Sequence, residues 1–359
     1  MLTVLRSSLV VLGSFCIFCT VLPLFAFRHW WVRMMDFPRL QLASILVVTL
    51  AAYWWSSLGQ GSWPQYGFAA AMALALAWQV WQLLPYTPLF RTQAKSATGD
   101  EAERFTVVVA NVFQHNRGAE NLIAQVHAED PDLLLVLEID EWWNEQLSVL
   151  QDAYPNSLMH PLDNTYGIGL YSRLELLDPK IEHLIKKDVP SIDTRVRLAS
   201  GRTVQFYGVH PEPPLPSENK RSTERDAELV QVARLARNHP WPVIVAGDMN
   251  DVAWSATTRR FQRLSRLLDP RIGRGLFSTF HAKVPVVRWP LDHVFFSTHF
   301  RVVEVRLLES FGSDHFPILI TLCLEPEERN GHEEIPRMDG EDREEVRSVV
   351  YEARADNEV

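Results

Sequence analysis

The sequence predicts an α/β domain that is preceded by three membrane-spanning helices. The first ninety residues contain three long runs without charge, at about 7–27, 40–58 and 66–84. From residue 105 onwards, short apolar runs alternate with amphipathic segments of helical period. Alternation of this kind is typical of a sheet whose faces are covered by other layers.

Each of the three uncharged runs is long enough to cross a bilayer. About 20 helical residues span the ~30 Å hydrocarbon core, and no Asp, Glu, Lys or Arg occurs between residues 40 and 90. Seven of the twelve tryptophans lie in this part of the chain, several of them at run ends, where interfacial indoles are common. The alternatives are a soluble helical bundle and a signal peptide over residues 1–27. The two later runs and the lack of a small-residue cleavage site favour a multipass anchor.

Charge placement bears on the orientation of this anchor. The loop 28–39 carries three arginines, and the segment after the third run carries Arg91, Lys95 and Arg104. Loops rich in Lys and Arg stay in the cytoplasm, which favours a cytoplasmic α/β domain. Arg6 and the N-terminal amine favour the opposite orientation, so both stay open.

Net charge divides the chain into three unlike segments. Residues 1–99 carry +5, residues 100–324 carry −6, and residues 325–359 carry −8. The last segment is acidic and poor in large apolar residues, so we expect it to be disordered apart from a turn or two of helix near 341–353. The expected divisions are a membrane anchor (1–90), a linker (91–104), a globular domain (105–324) and an acidic tail (325–359).

The predicted strands and helices of the globular domain alternate along the chain. Two segments on either side of Ser200 and Gly201 predict a hairpin. The predicted strands lie at 105–111, 132–138, 166–172, 194–199, 203–210, 242–248, 290–297, 300–308 and 316–324, and the predicted helices at 118–128, 141–150, 221–238 and 254–267.

Polar residues that handle metals or protons occur repeatedly at the ends of the predicted strands. Strand ends converge in layered α/β proteins, so side chains that are distant in the sequence meet there. Taken singly, each such residue has an ordinary explanation, for example a turn, a helix cap or a satisfied loop histidine. Their occurrence together predicts one polar site. In chain order they are Asn111, Glu138, His210, Asp248, Asn250, Asp292, Asp314 and His315.

The ordered set of motifs resembles that of the endonuclease/exonuclease/phosphatase superfamily, which includes abasic-site endonucleases, secreted DNases, inositol polyphosphate 5-phosphatases and neutral sphingomyelinases. PDLLLVLEID is similar to a PDxxxLQE element, with Leu137 in place of Gln. GDMND is similar to a GDFN element, with Met249 in place of Phe, and GSDHFPI is similar to an SDHxPV element. The resemblance covers about residues 104–324, with LDH at 291–293 among its motifs. It implies a four-layer sandwich, in which two mixed β-sheets pack face to face and are flanked by helices.

The same resemblance implies a hydrolase that cleaves a phosphate ester with the help of a divalent cation. Mg²⁺, which Mn²⁺ can replace, neutralises charge on phosphoryl oxygens and prefers oxygen ligands. By resemblance, Glu138 is the principal metal ligand, and Asn111 lies close to both metal and phosphate. Asp314 contributes to the hydration of the metal.

The remaining site residues are implied to move protons and to bind the phosphoryl group. His315 is the implied general base for water, and Asp292 holds its imidazole in the required tautomer. Asp248 orients the nucleophile or assists the leaving group. Asn250 and His210 donate hydrogen bonds to phosphoryl oxygens as charge builds up on them.

The sequence leaves the substrate open among nucleic acid, phospholipid and small phosphorylated metabolites. Enzymes of nucleic acid usually carry a basic surface, whereas residues 100–324 are net acidic. The anchor holds the site near lipid and mildly favours a membrane-associated substrate. The proline-rich segment 208–216 and Trp289 are expected to shape a wall beside the site.

A different class of function is a catalytically silent membrane module that binds phosphorylated ligands or a protein partner. Such a module would be expected to lack a metal ligand or the Asp–His pair, and neither is missing here. A channel or transporter is disfavoured because the three runs contain no ionisable residue at mid-membrane. No protein partner can be identified from the sequence; the expected partners are the phosphate ester and the lipid bilayer.

Overall fold

The computed structural model describes residues 2–25, 27–57, 62–97, 103–216, 218–325 and 334–357. The α-helices are α1 (Leu2–Val21), α2 (Trp30–Arg33), α3 (Arg39–Ser56), α4 (Trp63–Leu83), α5 (Ala119–Glu129), α6 (Glu141–Leu147), α7 (Thr223–Asn238), α8 (Ala256–Ser265) and α9 (Gly340–Asn357). The strands are β1 (Arg104–Asn111), β2 (Leu133–Leu137), β3 (Asn156–His160), β4 (Ile168–Ser172), β5 (Glu175–Glu182), β6 (Ser191–Arg197), β7 (Thr203–Val209), β8 (Val243–Asp248), β9 (Asp292–Phe296), β10 (Phe300–Leu307) and β11 (Ile318–Leu324).

The strands form two mixed β-sheets, which confirms the predicted four-layer architecture. One sheet has the order β10-β11-β1-β2-β4-β3 and the other has the order β5-β6-β7-β8-β9. The pairs β1–β2 and β7–β8 are parallel, and the other neighbours are antiparallel. The sequence did not predict β3 and β5. Both lie at sheet edges and are only partly buried, so they lack the apolar run that identified the central strands.

The core explains why the central strands are apolar on both faces. Val107 and Val109 of β1 lie in the cluster between the two sheets. Val108 and Ala110, which point to the opposite face, pack with Leu122 of α5 in a second cluster. Both faces of β1 are therefore removed from water, as expected for a strand in the middle layers of a sandwich.

The N-terminal helices are long and apolar enough to cross a membrane at two or three places. Thr3–Leu24 and Trp63–Tyr86 qualify on their own. Trp30–Asp36 and Arg39–Ser56 qualify only together, and the two are bent by 67°. Cys16, Leu46 and Met72 form part of a cluster that holds α1, α3 and α4 together.

The segment predicted to be a free linker lies on the globular domain where the structure describes it. Val302 donates its backbone N–H to the carbonyl of Lys95 over 2.9 Å, and Ala97 donates to the carbonyl of Val302 over 2.8 Å. This part of the linker therefore adds to the edge of the first sheet beside β10, where backbone groups would otherwise be unpaired. The rest of the predicted linker, residues 98–102, lies outside the described residues.

The tail contains a longer helix than the turn or two expected near 341–353, since α9 spans Gly340–Asn357. Helix α9 packs its apolar face on α7, and Val346, Val349 and Ala353 are buried there. The spacing of these three residues places them on one side of a helix. Arg28, which precedes α2, forms ion pairs with Glu345 and Glu352. The tail was misjudged because its low apolar content is concentrated on one face, and because its partners lie far away in the sequence.

Replacing Val349 by Asp is expected to release α9 from α7, because a carboxylate without a partner is costly to bury. Trypsin cleavage at Arg347 and Arg354 should then accelerate by about tenfold or more, which corresponds to about 1.4 kcal/mol of local opening. The measurement is the rate of cleavage by mass spectrometry. Tyr351→Asp is the matched control because Tyr351 is exposed; equal rates in the two variants would contradict the docking.

Candidate active site

The two sheets bring the predicted polar residues to one end of the sandwich. Because β1 and β2 are parallel neighbours, Asn111 lies beside Leu137, and Glu138 follows directly. In the second sheet, Asp248 at the end of β8 pairs with Asp292 at the start of antiparallel β9. The turn before β11 carries Asp314 and His315 to the same end, since β11 runs antiparallel to β1.

A chain of short contacts connects the site across the two sheets. The side-chain amide of Asn111 donates to Glu138 Oε1 over 2.8 Å and to Asp248 Oδ2 over 3.2 Å. His315 Nε2 lies 3.6 Å from Asp248 Oδ2, and His315 Nδ1 lies 2.7 Å from Asp292 Oδ2. The order Glu138–Asn111–Asp248–His315–Asp292 therefore runs without interruption from the first sheet to the second.

The backbone at two site residues adopts the left-handed region. Glu138 has φ of 63° and Asn250 has φ of 51°. Asn tolerates this conformation, whereas Glu adopts it rarely, so strain of this kind marks a position held by its surroundings. Glu138 Oε2 accepts the backbone N–H of Gln114 over 3.2 Å, which fixes the carboxylate. At Gly247, an added Cβ would lie 1.9 Å from the carbonyl oxygen of Val209, so this close approach requires glycine.

Local hydrogen bonds hold the turns that carry the other site residues. Asn250 donates its backbone N–H to Asp248 Oδ1 over 2.8 Å and its side-chain amide to the carbonyl of Pro211 over 2.9 Å. Ser313 donates its hydroxyl to the carbonyl of Asn111 over 2.8 Å and accepts the backbone N–H of His315 over 3.0 Å. The GDMND and GSDH motifs are thus turns whose own side chains fix their shape.

The electrostatics of the site are dominated by enclosed negative charge. Burial raises the pKa of Glu138, and burial together with the neighbouring Asp292 raises the pKa of Asp248. Burial disfavours the charged form of His315, but Asp292, Asp248 and Asp314 outweigh it and raise the pKa of His315 to about 10. The carboxylates around the imidazole therefore favour its protonated form.

A cavity of about 360 Å³ opens onto these groups. Its polar floor is formed by Glu138, His210, Asp248, Asn250, Asp314 and His315. No Lys or Arg belongs to its lining within the described ranges. His210 Nδ1 is buried there, and no described residue is hydrogen-bonded to it. The cavity therefore offers acidic oxygens to a cation.

The ligand atoms of Asp248, Asp292 and His315 lie within 4.8 Å of one another, close enough to hold a metal ion. In this trio, however, His315 Nδ1 is already bonded to Asp292. The predicted set of Glu138, Asn111 and Asp314 differs from it. Carboxylate and amide oxygens of this second set suit Mg²⁺ or Mn²⁺, and an acidic cavity whose described lining contains no Lys or Arg fits such an ion.

The structure also adds cavity residues that sequence reasoning missed. The ring of Tyr166 lies 5.5 Å from that of His210, and the ring of Phe280 lies 5.1 Å from that of His315. Phe113 also lines the cavity, and Met34 and Phe37 come from the segment between α2 and α3. Tyr166 opens a predicted strand, but Met34, Phe37, Phe113 and Phe280 follow no strand-end pattern. Nothing in their local sequence distinguishes them from ordinary apolar residues.

The description "Endonuclease/Exonuclease/phosphatase family" belongs to a sequence-family model that matches residues 108–315, more than half of the chain. The chain belongs to this family. The predicted resemblance is thereby confirmed. The membership and the acidic–histidine cluster identify a hydrolase fold for phosphoester bonds.

Solved structures of the family share the fold with this member. The catalytic domain of human nocturnin, with bound sulfate, is 16% identical, with a TM-score of 0.51 over 63% of this chain and 96% of that one. D. rerio TDP2 with a single-strand DNA product is 19% identical, with a TM-score of 0.50 over 62% and 99%. A family protein from Bacteroides thetaiotaomicron is 19% identical, with a TM-score of 0.50 over 64% and 98%. No curated protein matches the chain.

Replacing Asp292 by Asn is expected to lower the pKa of His315 from about 10, because the amide removes the negative charge nearest to the imidazole. The measurement is the pH dependence of the imidazole NMR shifts in protein purified with EDTA. Asp178→Asn, which changes an exposed carboxylate on β5, should leave this titration unchanged. If Asp292→Asn titrates like the unmodified chain, the contact does not control the protonation of His315.

Proposed function

We propose that the chain is a membrane-anchored phosphoesterase that hydrolyses a phosphate ester with a bound divalent cation, Mg²⁺ or Mn²⁺. The observation that carries the proposal is the continuous contact chain from Glu138 to Asp292 at the floor of the cavity. Water adds across the ester: its oxygen forms a bond to phosphorus, the bond from phosphorus to the leaving oxygen breaks, and that oxygen takes up a proton.

Glu138 would hold the cation, with Asn111 and Asp314 beside it. When bound, the cation would neutralise charge on the phosphoryl oxygens. The left-handed backbone of Glu138 and its hydrogen bonds to Asn111 and Gln114 keep the carboxylate at the cavity floor without a search through rotamers. The residues present fit the ion because they supply hard oxygen donors in an acidic cavity.

His315 would take the proton from the attacking water. With its Nδ1–H donated to Asp292, neutral His315 presents the lone pair of Nε2 to the cavity. The separation of 3.6 Å from Nε2 to Asp248 Oδ2 is too long for a hydrogen bond, and it leaves Nε2 available to a water. The pKa of His315 falls when positive charge occupies the cavity, because the imidazolium is repelled, and a base of lower pKa works nearer to neutral pH.

His210, Asn250 and Asp248 would bind and orient the reacting groups. His210 lines the cavity, and its imidazole would donate a hydrogen bond to a phosphoryl oxygen. The amide of Asn250 has two hydrogens, so one remains for the substrate after the bond to Pro211. Asp248 lies between Asn111 and His315, where its carboxylate can orient the water, or its protonated carboxyl can donate a proton to the leaving oxygen.

The proposal extends to the organisation of the chain. The anchor would occupy residues 1–90, the linker 91–104 and the catalytic domain 105–324, with the catalytic domain in the cytoplasm by the positive-inside rule. The competing function is a silent module that binds phosphorylated ligands or a protein partner. Hydrolysis of a simple phosphodiester by the purified chain distinguishes the two.

Replacing Glu138 by Gln is expected to lower the hydrolysis of bis(4-nitrophenyl) phosphate by about a hundredfold or more, because the metal loses its charged ligand. Chelation with EDTA should abolish turnover, and added Mg²⁺ or Mn²⁺ should restore it. The measurement is nitrophenolate release by the full chain in detergent micelles. Glu145→Gln is the control, since Glu145 is exposed on α6. Full activity in EDTA would refute the role of the metal.

Replacing His315 by Ala is expected to lower kcat on the same ester by about 10²- to 10⁴-fold, the usual contribution of a general base. His127→Ala, an exposed histidine on α5, should retain full turnover. Circular dichroism of each variant establishes that the fold is retained. A loss of less than about tenfold in His315→Ala would assign the base to another group.

A further inference from the structure

One wall of the cavity comes from the membrane anchor. Met34 and Phe37, which lie between α2 and α3, line the same cavity as Glu138, Asp248 and His315. The segment that joins two candidate membrane helices therefore contacts the space above the polar floor. A helix that only tethered the domain would not need to supply this wall.

Several contacts fix the anchor segment against the domain. Phe37 is buried, and its ring lies 5.3 Å from that of Trp289 in an edge-to-face arrangement. Trp254 donates its indole N–H to the carbonyl of Asp36 over 2.7 Å. At the start of the segment, Trp30 donates its backbone N–H to the carbonyl of Lys220 over 3.0 Å. Hydrogen bonds and ring packing at both ends make the wall a fixed part of the cavity.

The cavity lies next to the N-terminal end of α3, where the apolar part of this helix begins. Gln41, in the first turn of α3, donates to the carbonyl of Val286 over 2.8 Å. Val286 is 73% exposed and belongs to the loop 282–288, which also carries exposed Val284 and the cations Lys283 and Arg288. If α3 crosses the bilayer, a loop held to its first turn lies at the lipid–water interface. Exposed valines beside Lys and Arg suit that position.

The two sides of the cavity differ in chemistry. The floor is acidic and carries the histidines, and Thr165, Tyr166 and Glu218 also line the cavity. The largest wall is apolar and is formed by Met34, Phe37, Phe113, Pro213, Leu215 and Trp289. A phosphate held on the floor must place its organic substituent against this wall. Against these apolar side chains, a sugar or a second phosphate would find fewer partners for its polar groups than it has in water, which is costly. An alkyl chain would instead be removed from water.

Building on the proposed function, we propose that the substrate is a phosphate ester with an apolar chain, taken from the bilayer, and that Met34 and Phe37 determine this specificity. The anchor then has two roles. It holds the cavity at the level of the lipid headgroups, and it completes the surface that binds the chain.

The test uses the full chain in micelles with Mn²⁺ and a series of 4-nitrophenyl alkyl phosphodiesters, from methyl to hexyl. The leaving group is constant, so only the alkyl chain varies. We expect kcat/KM to rise about two- to fourfold for each added methylene until the wall is covered, as for a methylene removed from water. Thymidine 5′-(4-nitrophenyl phosphate) should be a poorer substrate than the hexyl ester.

Met34→Gln should weaken the dependence of kcat/KM on chain length, with a loss of kcat/KM of about tenfold on the hexyl ester relative to the methyl ester. Met34→Leu should restore the dependence. Met35→Gln is the matched control because the neighbouring Met35 packs against the cluster of membrane helices. All variants are compared at one detergent concentration. The partitioning of each ester into micelles is then the same for every variant and cancels in the comparison between variants. Calorimetry should show the same order among the variants in the ratio of the affinity for hexylphosphonate to the affinity for methylphosphonate. This measurement requires no turnover.

The outcomes separate this inference from the proposed function. Hydrolysis without dependence on chain length, a preference for the nucleotide ester, or equal losses in Met34→Gln and Met35→Gln would overturn the lipid specificity and leave the phosphoesterase intact. A lack of hydrolysis of every ester, with binding that still follows chain length, would overturn the phosphoesterase and leave the apolar ligand class.

Discussion

The face-to-face packing of the two sheets is the constraint on which the site depends. Asn111 belongs to the first sheet and Asp248 to the second, and the 3.2 Å contact between their side chains crosses the gap between the sheets. Beneath this contact, Val107, Leu135 and Ile244 belong to one continuous inter-sheet core. Protein interiors are close-packed and resist deformation, so this core sets the distance between the site residues of the two sheets.

The short distance between the two sheets at the site brings several negatively charged side chains close together. Asp248 and Asp292 pair across β8 and β9, and together with Glu138 and Asp314 they surround one imidazole. Such a group of carboxylates is costly to bury unless a cation shares the site. The surrounding carboxylates raise the pKa of His315, which favours an imidazolium that balances part of their charge. The proposed metal would take over the role, and it would free the histidine to act as a base.

The N-terminal helices contact the site region through hydrogen bonds and side-chain packing as well as through the covalent chain. Tyr86, just after α4, donates its hydroxyl to the carbonyl of Ala253 over 2.6 Å, and the two share a cluster with Phe37 and Trp254. Arg225 donates to the carbonyl of Asn250 over 2.8 Å from beneath the same loop. The loop that follows Asp248 is therefore held between α7 and the anchor. Helices that are long and apolar enough to cross a bilayer and residues that surround the cavity thus share one packed interface.

The sequence by itself determined the family, the sandwich architecture and the residues that form the polar floor. It did so because residues such as Asn111 and Glu138 directly follow apolar runs. The pattern of each run is contained in a few neighbouring residues, so it can be recognised without knowledge of tertiary contacts. Tertiary structure alone decided that Met34 and Phe37 face the cavity, that residues 95–97 extend a sheet and that α9 docks on α7. These features depend on contacts between segments far apart in the chain, and a local pattern of apolar residues does not specify which distant surface will cover it.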